Sequence, residues 1–174
     1  MVISMNIKRI EVGYLKTNCY IVENNDECLV IDPGDEFDKI KDNITKNVVG
    51  VIITHNHFDH VGAVDDILKY YNVSLYNKDN LKEGSNKIGN FEFDIIYNSG
   101  HTMDSISIIF NNIMFSGDFI FEDTIGRCDL GGDFNNMKES IKKILKSDIN
   151  YKIYPGHGNS TFLDKERKNL ESWL

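Results

Sequence analysis

Apolar positions along this chain follow two different periods, and the change from one to the other marks the elements. Residues 7–15, 19–23 and 28–31 are short stretches rich in β-branched side chains, and Asn24-Asn25-Asp26 between the last two is a turn signal. They predict a β-meander. Asp32-Pro33-Gly34 closes it, and Phe37, Ile40 and Ile44 then recur at helical spacing across residues 36–46. Residues 48–54 are almost continuously apolar over a strand's length, the pattern of a strand covered on both faces. Val64, Ile67, Leu68 and Tyr71 restore helical spacing over residues 61–71. The second half repeats this order without repeating the sequence. Strands are expected near residues 73–76, 91–97, 105–110 and 113–115, then a helix about 135–145, a strand at 151–154 and a helix from about Asp164. Two strand-rich groups, each followed by helices, predict an α/β architecture: two mixed sheets packed face to face with helices on the outer faces.

Composition narrows what this fold can do. A length of 174 residues suits one domain, residues 1–174, with no boundary marked by its two prolines. Hydrophobic and charged fractions of 41% and 26% are those of a globular chain and exclude disorder. The net charge of -8 disfavours nucleic acid as a partner, because phosphate neutralisation needs a basic surface. The opening MVISMNIKRI lacks the cationic and apolar run of a leader, and no stretch is apolar for the length of a membrane span. Three cysteines, Cys19, Cys28 and Cys128, form no CxxC pair and suit reduced thiols. A cytoplasmic protein acting on a small molecule is the expectation, and the sequence sets no oligomeric state.

The five histidines carry the chemistry. All are expected in loops directly after strands: His55, His57 and His60 together, His101 in Ser99-Gly100-His101-Thr102, and His157 in Pro155-Gly156-His157-Gly158. Histidines of no particular role would be spread over element types. His55, His57, Asp59 and His60 put four imidazole and carboxylate ligands into six residues, a set suited to zinc and related divalent cations. One tetrahedral ion cannot use all four. In an irregular loop His55 and His57 could serve one ion while Asp59 and His60 serve a second. Paired ions need a shared anion, and Asp118, which follows a strand and a glycine as His101 and His157 do, is placed to supply it.

With these motifs in view, the chain resembles the metallo-β-lactamase-fold hydrolases, specifically the branch of glyoxalase II, the hydroxyacylglutathione hydrolases. The matching segments are Ile31-Asp32-Pro33-Gly34, His55-x-His57-x-Asp59-His60, Ser99-Gly100-His101-Thr102 and Phe115-Ser116-Gly117-Asp118. They continue with Ile125-Gly126-Arg127-Cys128-Asp129-Leu130 and Tyr154-Pro155-Gly156-His157-Gly158, in the family's order over nearly the whole chain. The resemblance implies a four-layer αβ/βα sandwich. It implies His55, His57 and His101 on a first metal, Asp59, His60 and His157 on a second, and Asp118 bridging. Asp59 and Asp118 would carry catalysis, by hydrolysis of a thioester through a metal-bridging hydroxide, with two divalent ions, zinc before iron or manganese. Three departures separate the chain from that branch. Met103-Asp104-Ser105 stands where Pro-Gly-Ser is usual, Asn159 replaces a tyrosine, and the sequence stops at Leu174 without the branch's glutathione-gripping helical region. S-lactoylglutathione is therefore expected to be a poor substrate.

The alternative is a persulfide dioxygenase of the same fold, holding one iron in two histidines and a carboxylate, whose Gly-Arg-Thr-Asp loop Gly126-Arg127-Cys128-Asp129 echoes. RNA phosphodiesterase action is disfavoured by charge, and flavin-linked oxygen reduction by His57 where that branch has glutamate. Of the remaining residues, Asp32 is read as a loop-organising hydrogen-bond acceptor. Arg127 is read evenly as a substrate-carboxylate clamp or as an ion pair with Asp129 or Asp133. Asn159 is a second candidate substrate contact, and Cys128 a packed thiol.

Overall fold

The computed structural model describes residues 5–174, so the first four residues of the opening segment lie outside it. Five strands, β1 (Asn6–Val12), β2 (Thr17–Asn24), β3 (Glu27–Ile31), β4 (Asn47–Ile52) and β5 (Leu75–Tyr76), form the first sheet in that spatial order. The β1-β2-β3 meander is antiparallel, whereas β3-β4 and β4-β5 pair parallel. Helices α1 (Phe37–Asn43), α2 (Phe58–Val61) and α3 (Val64–Tyr71) interrupt it. The second sheet takes β6 (Gly84–Ile88), β7 (Phe91–Tyr97), β8 (Ile106–Phe110) and β9 (Ile113–Gly117), then β12 (Lys152–Pro155) and β13 (Thr161–Phe162), in the order β13-β12-β9-β8-β7-β6. A small hairpin, β10 (Ile120–Phe121) and β11 (Thr124–Ile125), precedes α4 (Phe134–Leu145), and α5 (Leu163–Ser172) follows β13.

Alternation along the buried strands builds four layers. In β2, Tyr20 and Val22 point into a core shared with Phe91, Phe93, Ile108 and Phe115 of the other sheet, while Cys19 and Ile21 point outward to Ile40 and Ile67 of α1 and α3. Leu29 and Ile31 of β3 likewise face inward, and Cys28 and Val30 outward. On the far side, Met114 and Ile153 join Met137, Ile141 and Leu170 of α4 and α5. The central strands are thus covered on both faces, which is why residues 19–22 of β2, 28–31 of β3 and 48–52 of β4 read as near-continuous apolar runs. The expected sandwich of two mixed sheets between helices is the observed fold.

Local differences have local reasons. The strand at Gly84–Ile88, with sequence GSNKI, was not expected: it is an edge strand whose alternate residues are polar and exposed, so it carries no apolar period. The β1 strand stops at Val12, because Gly13 at φ +69 and Lys16 at φ +56 form the hairpin turn that the longer expected strand ran through. His60 lies in the one-turn helix Phe58–Val61 rather than in a loop, against the expectation that all five histidines occupy loops.

Candidate metal centre

The loops after β3, β4, β7, β9 and β12 meet at one end of the sandwich, together with the β1–β2 turn. A bridge between Thr17 and His157 ties the two sheets there, and Asn18 N donates to Gly156 O at 2.7 Å. The glycines of the motifs are explained by closeness. A Cβ on Gly156 would sit 2.2 Å from Asp118 Oδ1 and 2.7 Å from the His60 ring, and Gly117, at φ +53, lies against the Thr54 side chain.

All seven sequence-predicted ligands converge at this end. Three groups offer ligand atoms within 4.8 Å of one another: His55, His57 and His101; His55, His60 and Asp118; and Asp59, His60 and His157. Asp118 reaches across them, with Oδ1 3.3 Å from His60 Nε2 and Oδ2 3.5 Å and 3.4 Å from His101 Nε2 and His157 Nε2. Asp59 Oδ2 lies 3.2 Å from His157 Nε2 and 3.5 Å from His60 Nε2.

Every ring is held from behind. His57 Nε2 donates to Leu130 O at 2.9 Å, His101 Nδ1 to Arg127 O at 2.5 Å and His157 Nδ1 to Leu15 O at 3.1 Å. These carbonyls can only accept, so each ring carries its proton on the outer nitrogen and turns the other one inward. Buried Asp32, at φ +50, accepts from Thr54 N, from Thr54 Oγ1 and from His60 Nδ1 at 2.7, 2.7 and 2.9 Å. Because Thr54 Oγ1 gives its proton to Asp32, it accepts from His55 Nδ1, 3.1 Å away. The inward atoms are therefore His55 Nε2, His57 Nδ1, His60 Nε2, His101 Nε2 and His157 Nε2. Of these, His55 Nε2 and His60 Nε2, like Asp118 Oδ1, are buried without an aligned hydrogen-bond partner. Imidazoles held through one nitrogen with the other aimed inward are what a metal ligand set requires, and unpartnered buried polar atoms are costly otherwise. The donor set fits divalent cations.

Electrostatics divides the cluster. Burial, reinforced by the nearby His60 charge, pushes His55 down to about 3. Burial lowers His101 as well. Burial also opposes charge on His60, but Asp32 and Asp118 outweigh it and raise that ring to about 10. His157, despite burial, is lifted to about 9 by Asp118 and Asp59. Burial works against ionised Asp59, yet its hydrogen bond with His157, the His60 charge and the Thr17 hydroxyl hold it at about 2. Asp118 is held well below the carboxylate range despite its burial, by the His157 and His60 rings that face it.

Around the ligands lies a cleft of ≈ 840 Å³, walled by Leu15, Phe58, Phe121 and Leu130 as well as by the site residues. Arg127 lines it too, with its guanidinium on Asp129 at 2.6 and 2.5 Å, one of the two arrangements the sequence left open. Asn159 is exposed, donates to Glu122, and does not line the cleft. Cys128 is half-buried and its thiol lies 3.8 Å from Gly126 O. Sequence reasoning missed Thr17, which donates to Asp59 Oδ2 at 2.9 Å, and the apolar wall. Tyr14-Leu15 at a hairpin tip and Phe58 amid polar ligands were the available signals, but apolar residues scattered singly in turns are ordinary until the fold gathers them.

Comparisons agree with this geometry. The metallo-beta-lactamase superfamily domain matches residues 12–85 and 75–157. The chain belongs to that superfamily. A probable metallo-hydrolase of Bacillus subtilis, YqgX, is 28% identical over 194 residues, spanning 90% of this chain and 92% of the relative. The hydroxyacylglutathione hydrolase GloC of Haemophilus influenzae is 26% identical over 95% of this chain and 96% of its own length. Among solved structures, BLEG-1 B3 metallo-beta-lactamase superposes with a TM-score of 0.88 at 27% identity, covering 94% of this chain and 97% of that one. TTHA1623, crystallised in a di-iron-bound form, gives 0.84 at 26% identity over 93% and 98%. Among the described residues no helix is long and apolar enough to cross a membrane.

Proposed function

We propose that this protein hydrolyses thioesters of small molecules at a centre of two divalent ions, zinc by choice of ligands. His55, His57 and His101 would hold one ion and Asp59, His60 and His157 the other, with Asp118 shared. The observation that carries the reading is the Asp118 carboxylate, within 3.5 Å of inward nitrogens from both groups. Two divalent ions there would lower the pKa of water towards about 7 and polarise an acyl carbonyl. The chain's own groups do the rest. Asp59 and Asp118 stay ionised at neutral pH and balance the cationic charge. The carbonyls of Leu15, Arg127 and Leu130 fix three rings, so little reorganisation is needed during reaction. Leu15, Phe58, Phe121 and Leu130 give the cleft an apolar wall against which the apolar part of a substrate would pack. The kinship with a hydroxyacylglutathione hydrolase supports the thioester class.

Two measurements decide. Protein purified without chelator is analysed for metals, with about two ions per chain expected. The same protein is assayed on thioesters, lactones, a β-lactam and, by oxygen consumption, glutathione persulfide. Thioester hydrolysis is the expected result. Activity on lactones alone overturns the thioester class, and a single iron with oxygen consumption on the persulfide replaces the reading by a dioxygenase.

A further inference from the structure

Beside the main cleft, and sharing Leu15, Phe58 and Asp59 with it, opens a second pocket of ≈ 330 Å³. It runs beneath the β1–β2 turn, between Val12, Gly13 and Tyr14 on one side and Gly34 and Gly62 on the other. Its wall holds large apolar side chains at high exposure: Tyr14 80%, Phe58 63% and Leu15 43%. Tyr14 and Phe58 stack with ring centroids 6.5 Å apart, which keeps the mouth apolar. Exposed apolar surface facing a cavity beside a reactive centre is what a ligand's apolar portion would cover.

Charge argues for the same ligand. Arg127 is the one lysine or arginine among the described residues lining either pocket, it lines the main cleft and not the side pocket, and Asp129 already pairs with the Nε–Nη2 edge of its guanidinium. The side pocket's own ionisable groups, Asp35 and Asp59, are acidic, and the chain carries -8. A carboxylate or phosphate on the acyl group would enter there without a free cation to meet it.

Resting on the thioesterase reading, we infer that this protein selects thioesters with uncharged, apolar acyl chains, which extend from the metal centre into the pocket under the β1–β2 turn, and that Leu15 and Phe58 determine that specificity. Leu15 and Phe58 line both spaces, as does Asp59 of the ligand cluster, so a chain attached to a carbonyl at the ions meets these two side chains on its way into the pocket. An acetyl group has the least apolar surface to bury there. Longer chains bury one methylene after another, and full burial multiplies the specificity constant about fourfold per methylene.

The test uses metal-loaded protein and acyl thioesters of N-acetylcysteamine, an uncharged thiol, with two, four, six and eight acyl carbons, plus the succinyl thioester as the charged partner of butyryl. We expect kcat/KM to rise about twofold to fourfold per methylene and succinyl to fall at least tenfold below butyryl. Leu15→Asn and Phe58→Ser should each lower the octanoyl-to-acetyl ratio, and Leu15→Met should restore it. A second readout is calorimetric binding of the matching S-alkyl thioethers, which cannot be hydrolysed, to metal-free protein. Affinity should grow with chain length and lose that growth in Leu15→Asn. A flat length series in binding and turnover, or succinyl equal to butyryl, overturns the inference while leaving thioester hydrolysis standing. Length-dependent thioether binding without any thioester turnover overturns the proposed reaction and leaves the apolar pocket as the selecting feature.

Discussion

His55 and His101 stand on one side of Asp118, His60 and His157 on the other, and the same burial leaves the two pairs in opposite states. On the first side desolvation wins, so both rings are neutral at pH 7 and their inward nitrogens carry lone pairs. On the second, Asp32, Asp59 and Asp118 outbid desolvation and the rings hold their protons. The difference lies in the neighbours. The first group is held by a hydroxyl and two backbone carbonyls, whereas in the second Asp32 stands behind His60, the Leu15 carbonyl behind His157, and Asp59 and Asp118 face both rings. Ligand identity alone would make the two groups look alike. Their partners make the first ready for a cation and the second dependent on giving protons up.

Removing the shared carboxylate should have the largest effect. Asp118→Ala is expected to lower kcat/KM for a thioester more than a hundredfold and to reduce the metal content. Asp32→Ala, which acts from behind His60 and Thr54, should cost about 10–100-fold. Equal losses would mean that Asp118 does not join the two groups. Next in size is pH. Because His60 and His157 must release protons, affinity for the second ion should climb at least about tenfold per unit between pH 7 and pH 9, while affinity for the first stays flat. Stepwise metal titration in a calibrated proton-indicator dye reads both.

The metal-free protein should show the same division as stability. His60 and His157 are raised above 6.5, so they stabilise fully below that value and lose their contribution as pH rises through about 9 and about 10. His55 is depressed to about 3, so its contribution is present above 6.5 and is lost as pH falls below it. Thermal unfolding should therefore be most resistant near neutrality.

Smaller still, Thr17→Val should weaken the second ion about tenfold by freeing Asp59, leave the first unchanged, and be repaired by Thr17→Ser. The smallest effect is expected from Arg127→Ala. The exposed Arg127–Asp129 pair is screened by water, and His101 is held by the Arg127 backbone carbonyl rather than by its side chain. Melting temperature and first-ion affinity should not move measurably.

The convergence of the seven residues was legible because histidines and aspartates gathered just after strands, four of them within six residues, are the pattern expected of a metal site. The sandwich was legible because strands such as β2 and β3 are apolar on both faces. Less visible were features that depend on backbone atoms or on distant partners. The carbonyls of Leu15, Arg127 and Leu130 have no residue signature, and Thr17 reaches Asp59 across 42 positions. His60 looked like a loop residue because a helix of four residues is too short to show a period. The apolar wall was missed because single hydrophobic residues in turns are common, and only the fold gathers Leu15, Phe58, Phe121 and Leu130 around one space.

Leu15 belongs to both halves of this chemistry. Its carbonyl holds the His157 ring, and its side chain forms part of the cleft wall. Under the two-ion reading proposed above, anything that presses on the hairpin tip would also press on a ligand, so retention of the second ion and occupancy of the cleft would be linked equilibria, and linkage is reciprocal. A molecule settled against Leu15 that steadies the turn would lengthen the residence time of that ion, and loss of the ion would in turn loosen the wall.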